Sequence, residues 1–290
     1  MEGQLWKAIV MVLKVVDKRR KRAIEEFSDE DVVKVYYWSA IHDRPIDWAC
    51  RRQNWPIHVR KRSLPSGSTM SRRLRTASVI ALLDAIELRI TRPQKPGLFW
   101  MMDGKPLTIG ACSKDRQAGY GKAAAAKAKG YKLHALVADN GQLAEWRVAP
   151  MNKDERVMAR RLLQAADLQG YITADANYDS NQLHQICDAR GNCQLLTPRR
   201  YGPGKKVGHR AQSPGRLRSI ALLENPEPAF GKQLMHDRAG IERCFARMVS
   251  WGGGLTHLPP WIRTHRRVRR WVQAKLVLTA LKHNTTYVNG

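Results

Sequence analysis

Acidic residues are scarce in this chain: 25 Asp and Glu stand against 51 Lys and Arg in 290 residues, a formal net charge of +26. An imbalance of that size exceeds what a small-molecule enzyme needs and calls for a polyanionic partner, of which nucleic acid is the commonest. Paired cysteines are also missing. Cys50, Cys112, Cys187, Cys193 and Cys244 are odd in number, scattered and without a Cys-x-x-Cys pair, which excludes a disulfide framework and fits a reducing compartment. His184 lies near Cys187 and Cys193 in sequence, but a fourth ligand at zinc-site spacing is lacking. The early apolar run Ala8–Leu13 is closed by Lys14, so neither a signal peptide nor a membrane span is expected, and the expected location is the cytoplasm. No internal repeat is evident.

The charge is segregated. Residues 1–96 hold 20 basic and 11 acidic side chains, 97–198 hold 13 and 10, and 199–290 hold 18 and 4, so basic flanks enclose a nearly neutral middle. The first flank reads as helical and as one region, 1–96. Leu5, Ile9, Val12 and Val16 recur at helical spacing in 3–25, ahead of the basic cluster Lys18–Arg22. Ser28-Asp-Glu-Asp31 is a capping-box start for a second helix, and Pro45 opens a short third one, Ile46–Arg52. After Pro65-Ser-Gly-Ser, a single helix is expected from about Ser71 to Ile90, presenting Arg72, Arg73 and Arg75 in its first turns. Short helices, a tight turn and a basic, hydroxyl-rich helix suit helix-turn-helix DNA binding, although the same arginines would also serve as the solvated face of a bundle. Thr91–Gly97, with two prolines, breaks the pattern and sets the domain boundary.

From residue 97 to 290 the period changes to that of an α/β domain. Leu98–Met102 reads as a strand ending at Asp103-Gly104, and Leu107–Cys112 as another. Ser113–Lys129, rich in Gly, Ala and Lys, shows no core pattern and reads as a flexible excursion containing Asp115. Tyr131–Val137 and Leu143–Val148 flank the hairpin signal Asp139-Asn-Gly141, and Asp154 caps a following helix. Gly170 then opens the strand Tyr171–Ala174, which delivers Asp175 to its end, with Asp179-Ser180 as cap-type residues for a helix from about Asn181. Gln194–Thr197 reads as the last strand, and a mixed five-stranded sheet flanked by helices is expected. Residues 199–235 read as a basic insertion or loop, His236–Ser250 as a helix ended by Trp251-Gly-Gly-Gly254, and about Thr264–His283 as the last helix. His134 is expected as a rim or core histidine. Three antiparallel strands leading into α/β alternation form the ribonuclease H-like arrangement, in which Asp103 and Asp175 could converge and a later helix could add Glu242. Three hard oxygen donors suit Mg²⁺ or Mn²⁺, and two such ions support in-line displacement at phosphorus.

Four segments in order, Asp103-Gly-Lys-Pro, Gly130-Tyr-Lys-Leu-His-Ala-Leu-Val137, Ala174-Asp-Ala-Asn-Tyr-Asp-Ser180 and Arg238-Ala-Gly-Ile-Glu-Arg243, resemble those of bacterial insertion-sequence transposases with a DDE domain, over about residues 98–285. The resemblance implies that Asp103, Asp175 and Glu242 form the metal-binding catalytic triad, with Mg²⁺ as cofactor and Mn²⁺ as a substitute. It implies an enzyme that cleaves double-stranded DNA at terminal inverted repeats and transfers the freed 3′-hydroxyl ends to target DNA, in a bacterial cytoplasm and at the nucleoid. Synapsis of two ends suggests a homodimer on DNA. The related signature Tyr-x2-Arg-x3-Glu-x6-Lys is met at Arg238 and Glu242, but Met235 and Val249 occupy the Tyr and Lys positions, so Arg243 or Arg247 would have to hold the terminal phosphates. Arg72, Arg73, Arg75, Arg238, Arg243, Arg247, Arg266 and Arg267 are the expected DNA contacts. Two rivals use the same residues differently: a metal-dependent nuclease that cleaves without joining, and a DNA-binding repressor on a silent catalytic fold.

Overall fold

The computed structural model describes residues 2–16, 26–92, 97–110, 112–123, 126–201, 211–225, 229–250, 255 and 257–283. The basic cluster Lys18–Arg22, Trp251–Gly254 and parts of the 199–235 insertion lie outside them. In chain order the elements are α1 (Glu2–Val16), α2 (Asp29–Ile41), α3 (Ile46–Ala49), α4 (Gly67–Arg73) and α5 (Ala77–Thr91); β1 (Phe99–Thr108), β2 (Gly119–Ala123), β3 (Ala126–Ala138) and β4 (Leu143–Pro150); α6 (Glu155–Ala165), β5 (Gly170–Thr173), α7 (Asn181–Asp188) and β6 (Cys193–Leu196); then α8 (Pro214–Glu224), α9 (Phe230–Asp237), α10 (Gly240–Ser250) and α11 (His265–His283). They form two compact units, one of Met1–Thr91, Met248–Leu255 and Arg270–Gly290, the other of Arg92–Arg247 and Thr256–Arg269.

The first unit is helical. Ser28 and Asp31 close the capping box at the start of α2, each side chain accepting the other's backbone N–H at 3.1 Å. Leu5, Ile9, Val12 and Leu13 of α1 are buried, as are Val32, Val33, Tyr36 and Tyr37 of α2 and Val79, Leu83 and Ile86 of α5. The helix expected to run unbroken from Ser71 to Ile90 is two helices. At the break the Thr76 hydroxyl donates to the Arg73 carbonyl at 2.8 Å, and the Thr76 carbonyl takes the Ile80 N–H. A hydroxyl that satisfies one helix end while opening the next is a local alternative to continuing the helix.

The second unit is a mixed sheet of six strands rather than the five expected, β2-β3-β1-β5-β6, with β4 also paired to β3. β1 and β3 run antiparallel from Trp100↔Ala138 to Thr108↔Gly130, whereas β1, β5 and β6 are parallel neighbours. Helices α6 and α7 make the crossovers and bury Ala159, Leu162, Leu163, Leu183 and Cys187 against Trp100, Met102, Leu136 and Ile172. Gly170 turns the chain into β5 at φ +80°, and a Cβ there would lie 2.2 Å from the Leu98 carbonyl oxygen; only glycine satisfies both conditions.

Three expectations change. The two strands expected before residue 112 are one, β1, because β3 pairs with it continuously through Asp103-Gly104. Ser113–Lys129 is not a loose excursion: β2 pairs with the start of β3 from Gly119↔Gly130 to Ala123↔Ala126, a ribbon held by backbone pairing rather than by apolar alternation. Asp115, ahead of it, is buried and accepts hydrogen bonds from the Tyr131 hydroxyl and the backbone of Gln117 and Thr264, each at 2.9 Å. Finally, the 199–235 segment carries α8 and α9. α8 has little apolar periodicity because polar contacts dock it: Gly215 N donates to Asp188 at 2.8 Å, Thr197 N to Ser219 at 3.0 Å, and Arg218 Nε to Gln194 at 2.9 Å.

Candidate active site

The parallel ladder between β1 and β5 ends at Met101↔Thr173. Two residues further along each chain stand Asp103 and Asp175, near enough for the Asp175 charge to act on Asp103. Adjacent strands are about 4.8 Å apart, so the two carboxylates converge just past the point where the ladder stops. Asp103 thus sits within β1 rather than at its end, yet beyond the end of the pairing with β5. Its Oδ1 accepts the Gly104 N–H at 2.7 Å, and Arg238 Nη1 lies 3.7 Å from its Oδ2. Asp175 caps a single 3₁₀ turn, Ala176–Tyr178, accepting the Asn177 N–H at 2.8 Å and the Asn177 side-chain amide at 3.2 Å. Burial pushes the Asp103 carboxyl above the usual carboxylate range, and the charges of Asp175 and Glu155 push it the same way, against the Gly104 N–H and Arg238.

Glu155 is a residue that sequence reasoning missed. A Cβ on Gly104 would meet Lys132 Cδ at 2.8 Å and His134 Nδ1 at 3.3 Å, so the Lys132 side chain lies across Gly104. Its ammonium pairs with Glu155, the first residue of α6. Tyr178 is buried, 1% exposed, and its hydroxyl has no hydrogen-bond partner among the described residues. Burial, followed by the charges of Glu155, Asp103 and Asp175, holds its proton well above the usual phenol range.

Glu242 is exposed in the first turn of α10. The start of that helix packs closely on β1, since a Cβ on Gly240 would come within 2.9 Å of Met101 Sδ. No described contact joins Glu242 itself to the aspartate pair. The helix expected from His236 is divided at Arg238-Ala239 between α9 and α10. His134 is buried with neither ring nitrogen bonded, and burial pushes it down to about 4, so it is a neutral core histidine.

The loop that presents Asp175 is clamped from the insertion. Asp179, expected as a helix cap, is buried and takes both forks of Arg216 at 2.6 Å, together with Arg200 N at 3.1 Å; Ser180 caps α7 in its place. Burial would raise the Asp179 carboxyl, but Arg216 and these hydrogen bonds hold it below the usual range. Among the expected DNA contacts, Arg72, Arg75, Arg243, Arg247, Arg266 and Arg267 are exposed. Arg73 is turned inward, donating to the Phe27 carbonyl at 2.8 Å and to buried Asp29 at 2.6 Å. It is a structural ion pair rather than a free cation.

Among the described residues, no three His, Cys, Asp or Glu side chains stand together as a ready metal-ligand set. The Asp103–Asp175 pair nonetheless fits a hard divalent cation. Two neighbouring carboxylates, one of them with its proton affinity raised by burial and by the other's charge, are hard oxygen donors, and a Mg²⁺-type ion takes one or two carboxylates with the rest from water and phosphate.

The family profile of the transposase DDE domain matches residues 75–279. The chain belongs to the DDE transposases. Its fold aligns with the cryo-EM structure of the piggyBac transposase synaptic complex with hairpin DNA, at a TM-score of 0.51 and 10% identity, over 99% of this chain and 73% of that one. At such identity the likeness speaks for the fold alone, which is the ribonuclease H-like one. No curated protein matches the chain in sequence. This transposase is therefore an enzyme of DNA strand cleavage and transfer, in a family that works with divalent metal ions. Among its described residues no helix is long and apolar enough to cross a membrane.

Proposed function

We propose that Asp103 and Asp175 hold the divalent ion of this transposase, Mg²⁺ with Mn²⁺ as a substitute, and that Glu242 is the third acid of the triad. The observation that carries the reading is that each aspartate stands two residues past the last pair of the β1–β5 ladder, with the Asp175 charge acting on Asp103. When bound, the ion supplies activation of the attacking water or 3′-hydroxyl and stabilisation of the leaving oxygen. The chain's own groups prepare that chemistry. The Gly104 N–H fixes one oxygen of Asp103 and leaves the other directed to the site. Arg238, half-buried beside it, neutralises part of the pair's charge and meets an incoming phosphate. The exposed Arg72, Arg75, Arg243, Arg247, Arg266 and Arg267 contact the DNA backbone, giving affinity that falls steeply with salt. The 1–96 region binds the terminal inverted repeats and the 97–290 region carries out catalysis, with Met248–Leu255 and Arg270–Gly290 of the latter completing the helical first unit. A homodimer brings two ends together, in the cytoplasm of a bacterium.

The test is product analysis on a plasmid carrying the element's own ends, comparing the wild type with Asp175→Asn in Mg²⁺, Mn²⁺ and Ca²⁺. Cleavage at the ends plus joined products in Mg²⁺ or Mn²⁺, lost in the variant, is expected. Cleavage without joining would reduce the reading to a nuclease, and activity that survives Asp175→Asn would remove Asp175 from the site.

A further inference from the structure

We propose that Glu155 is an additional carboxylate ligand of the metal centre, held off it by Lys132 until a cation enters. This rests on the assignment of Asp103 and Asp175 to that centre. Lys132 bridges the two places: its stem lies against Gly104, next to Asp103, while its ammonium pairs with Glu155. Glu155 also begins a helix, with Asp154 as its cap, so its carboxylate is anchored on a rigid element rather than on a loop.

A second observation points to a ligand without depending on the acids' own geometry. The Tyr178 hydroxyl, at 1% exposure and with no hydrogen-bond partner among the described residues, is buried near enough to Glu155, Asp103 and Asp175 for their charges to add to burial in holding its proton. A buried hydroxyl is ordinarily hydrogen-bonded. A water or phosphate oxygen carried on a bound ion would satisfy it. The arrangement also explains why three acids do not already form a ready set. Lys132 offsets part of the Glu155 charge that bears on Asp103, and a divalent cation between the acids would reverse that balance.

The experiment is a Mn²⁺ titration of the full-length protein without DNA, following loss of the free-ion electron paramagnetic resonance signal. Glu155→Gln is expected to weaken Mn²⁺ binding about tenfold or more, Asp175→Asn to abolish it, and Asp154→Asn to leave it unchanged, because Asn caps a helix as well as Asp does. Binding unchanged in Glu155→Gln but lost in Asp175→Asn would overturn the role of Glu155 and leave the aspartate pair standing. Binding retained in Asp175→Asn would sink the underlying site instead. Equal weakening by Asp154→Asn would trace the effect to the start of α6 and overturn the proposal. Should Glu155→Gln fail to fold, Lys132→Met tests it from the other side: removing the competing cation tightens Mn²⁺ binding several-fold, and unchanged or weaker binding overturns the inference.

Discussion

Replacing Asp103 with Asn should make this transposase more stable while removing its activity. Asn keeps the oxygen that accepts the Gly104 N–H, so the substitution changes charge with little change in shape. Two carboxylates on adjacent strands, about 5 Å apart, repel by about 0.8–3 kcal/mol for an effective dielectric between about 80 and 20. The Asp103 side chain is 28% exposed and Arg238 lies 3.7 Å away, so screening and partial neutralisation place the effect at the lower end, about 1 kcal/mol. For a protein of this size that corresponds to a rise in Tm of about 2 °C. The sign follows from linkage. The folded protein holds the Asp103 proton more tightly than the unfolded chain does, so stability falls as pH rises from the ordinary carboxylate range through the raised value, and the ionised group is a standing cost at pH 7. The advantage of the Asn variant should therefore be full at pH 7 and shrink as pH drops toward the ordinary carboxylate range. Scanning calorimetry across that range, without divalent ions, measures it. A variant less stable at pH 7, or a gain of equal size at every pH, would refute the account of an Asp103 carboxylate ionised at a cost set by burial and then by the Asp175 and Glu155 charges.

Removing the clamp on the Asp175 loop has the opposite sign: Arg216→Met leaves Asp179 buried and unpaired and should cost about 3–5 kcal/mol in urea unfolding at pH 7. Because the Asp179 carboxyl is held below the usual range, the pair's contribution is present above that range and lost as pH falls through the depressed value, so the deficit should narrow in acid; a deficit under about 1 kcal/mol would show that the pair is not a clamp. Gly170→Ala combines φ +80° with a Cβ 2.2 Å from the Leu98 carbonyl oxygen and should destabilise by about 2–4 kcal/mol, read as a lower urea midpoint. Arg72→Gln or Arg75→Gln should reduce the slope of log affinity against log salt by about 1 in a fluorescence anisotropy titration with DNA, with stability within about 0.5 kcal/mol of wild type. Arg73→Gln should instead cost about 3 kcal/mol of stability through Asp29 and leave that slope unchanged.

What the sequence made legible was whatever is written at short range. The Ser28–Asp31 capping box, the Asp139-Asn-Gly141 hairpin and the apolar runs of β1 and β5 each depend on residues a few positions apart, and each folds as its pattern requires. The β2–β3 ribbon was illegible because Gly, Ala and Lys carry no apolar alternation; its ladder is made of backbone groups that every sequence possesses. α8 escaped for a related reason. It docks through Asp188, Gln194 and Thr197, and contacts from polar side chains 20 to 30 positions away leave no period to read.

The site divides along the same line, but for a different physical reason. Asp103 and Asp175 could be singled out because each follows an apolar run, and the parallel pairing of those runs brings the two residues near one another. Glu155 and Asp179 also have local roles that account for them completely: an acid in the first turn of a helix complements the helix dipole, and an Asp before Ser180 reads as a cap. A residue explained twice is recognised only for the nearer explanation. The discriminating fact is three-dimensional in both cases, the Lys132 stem crossing Gly104 for Glu155 and the Arg216 fork for Asp179. It follows that in a chain this poor in acids, the carboxylates engaged by Lys or Arg from a different element are the ones to test for function, ahead of those whose partners lie within one turn.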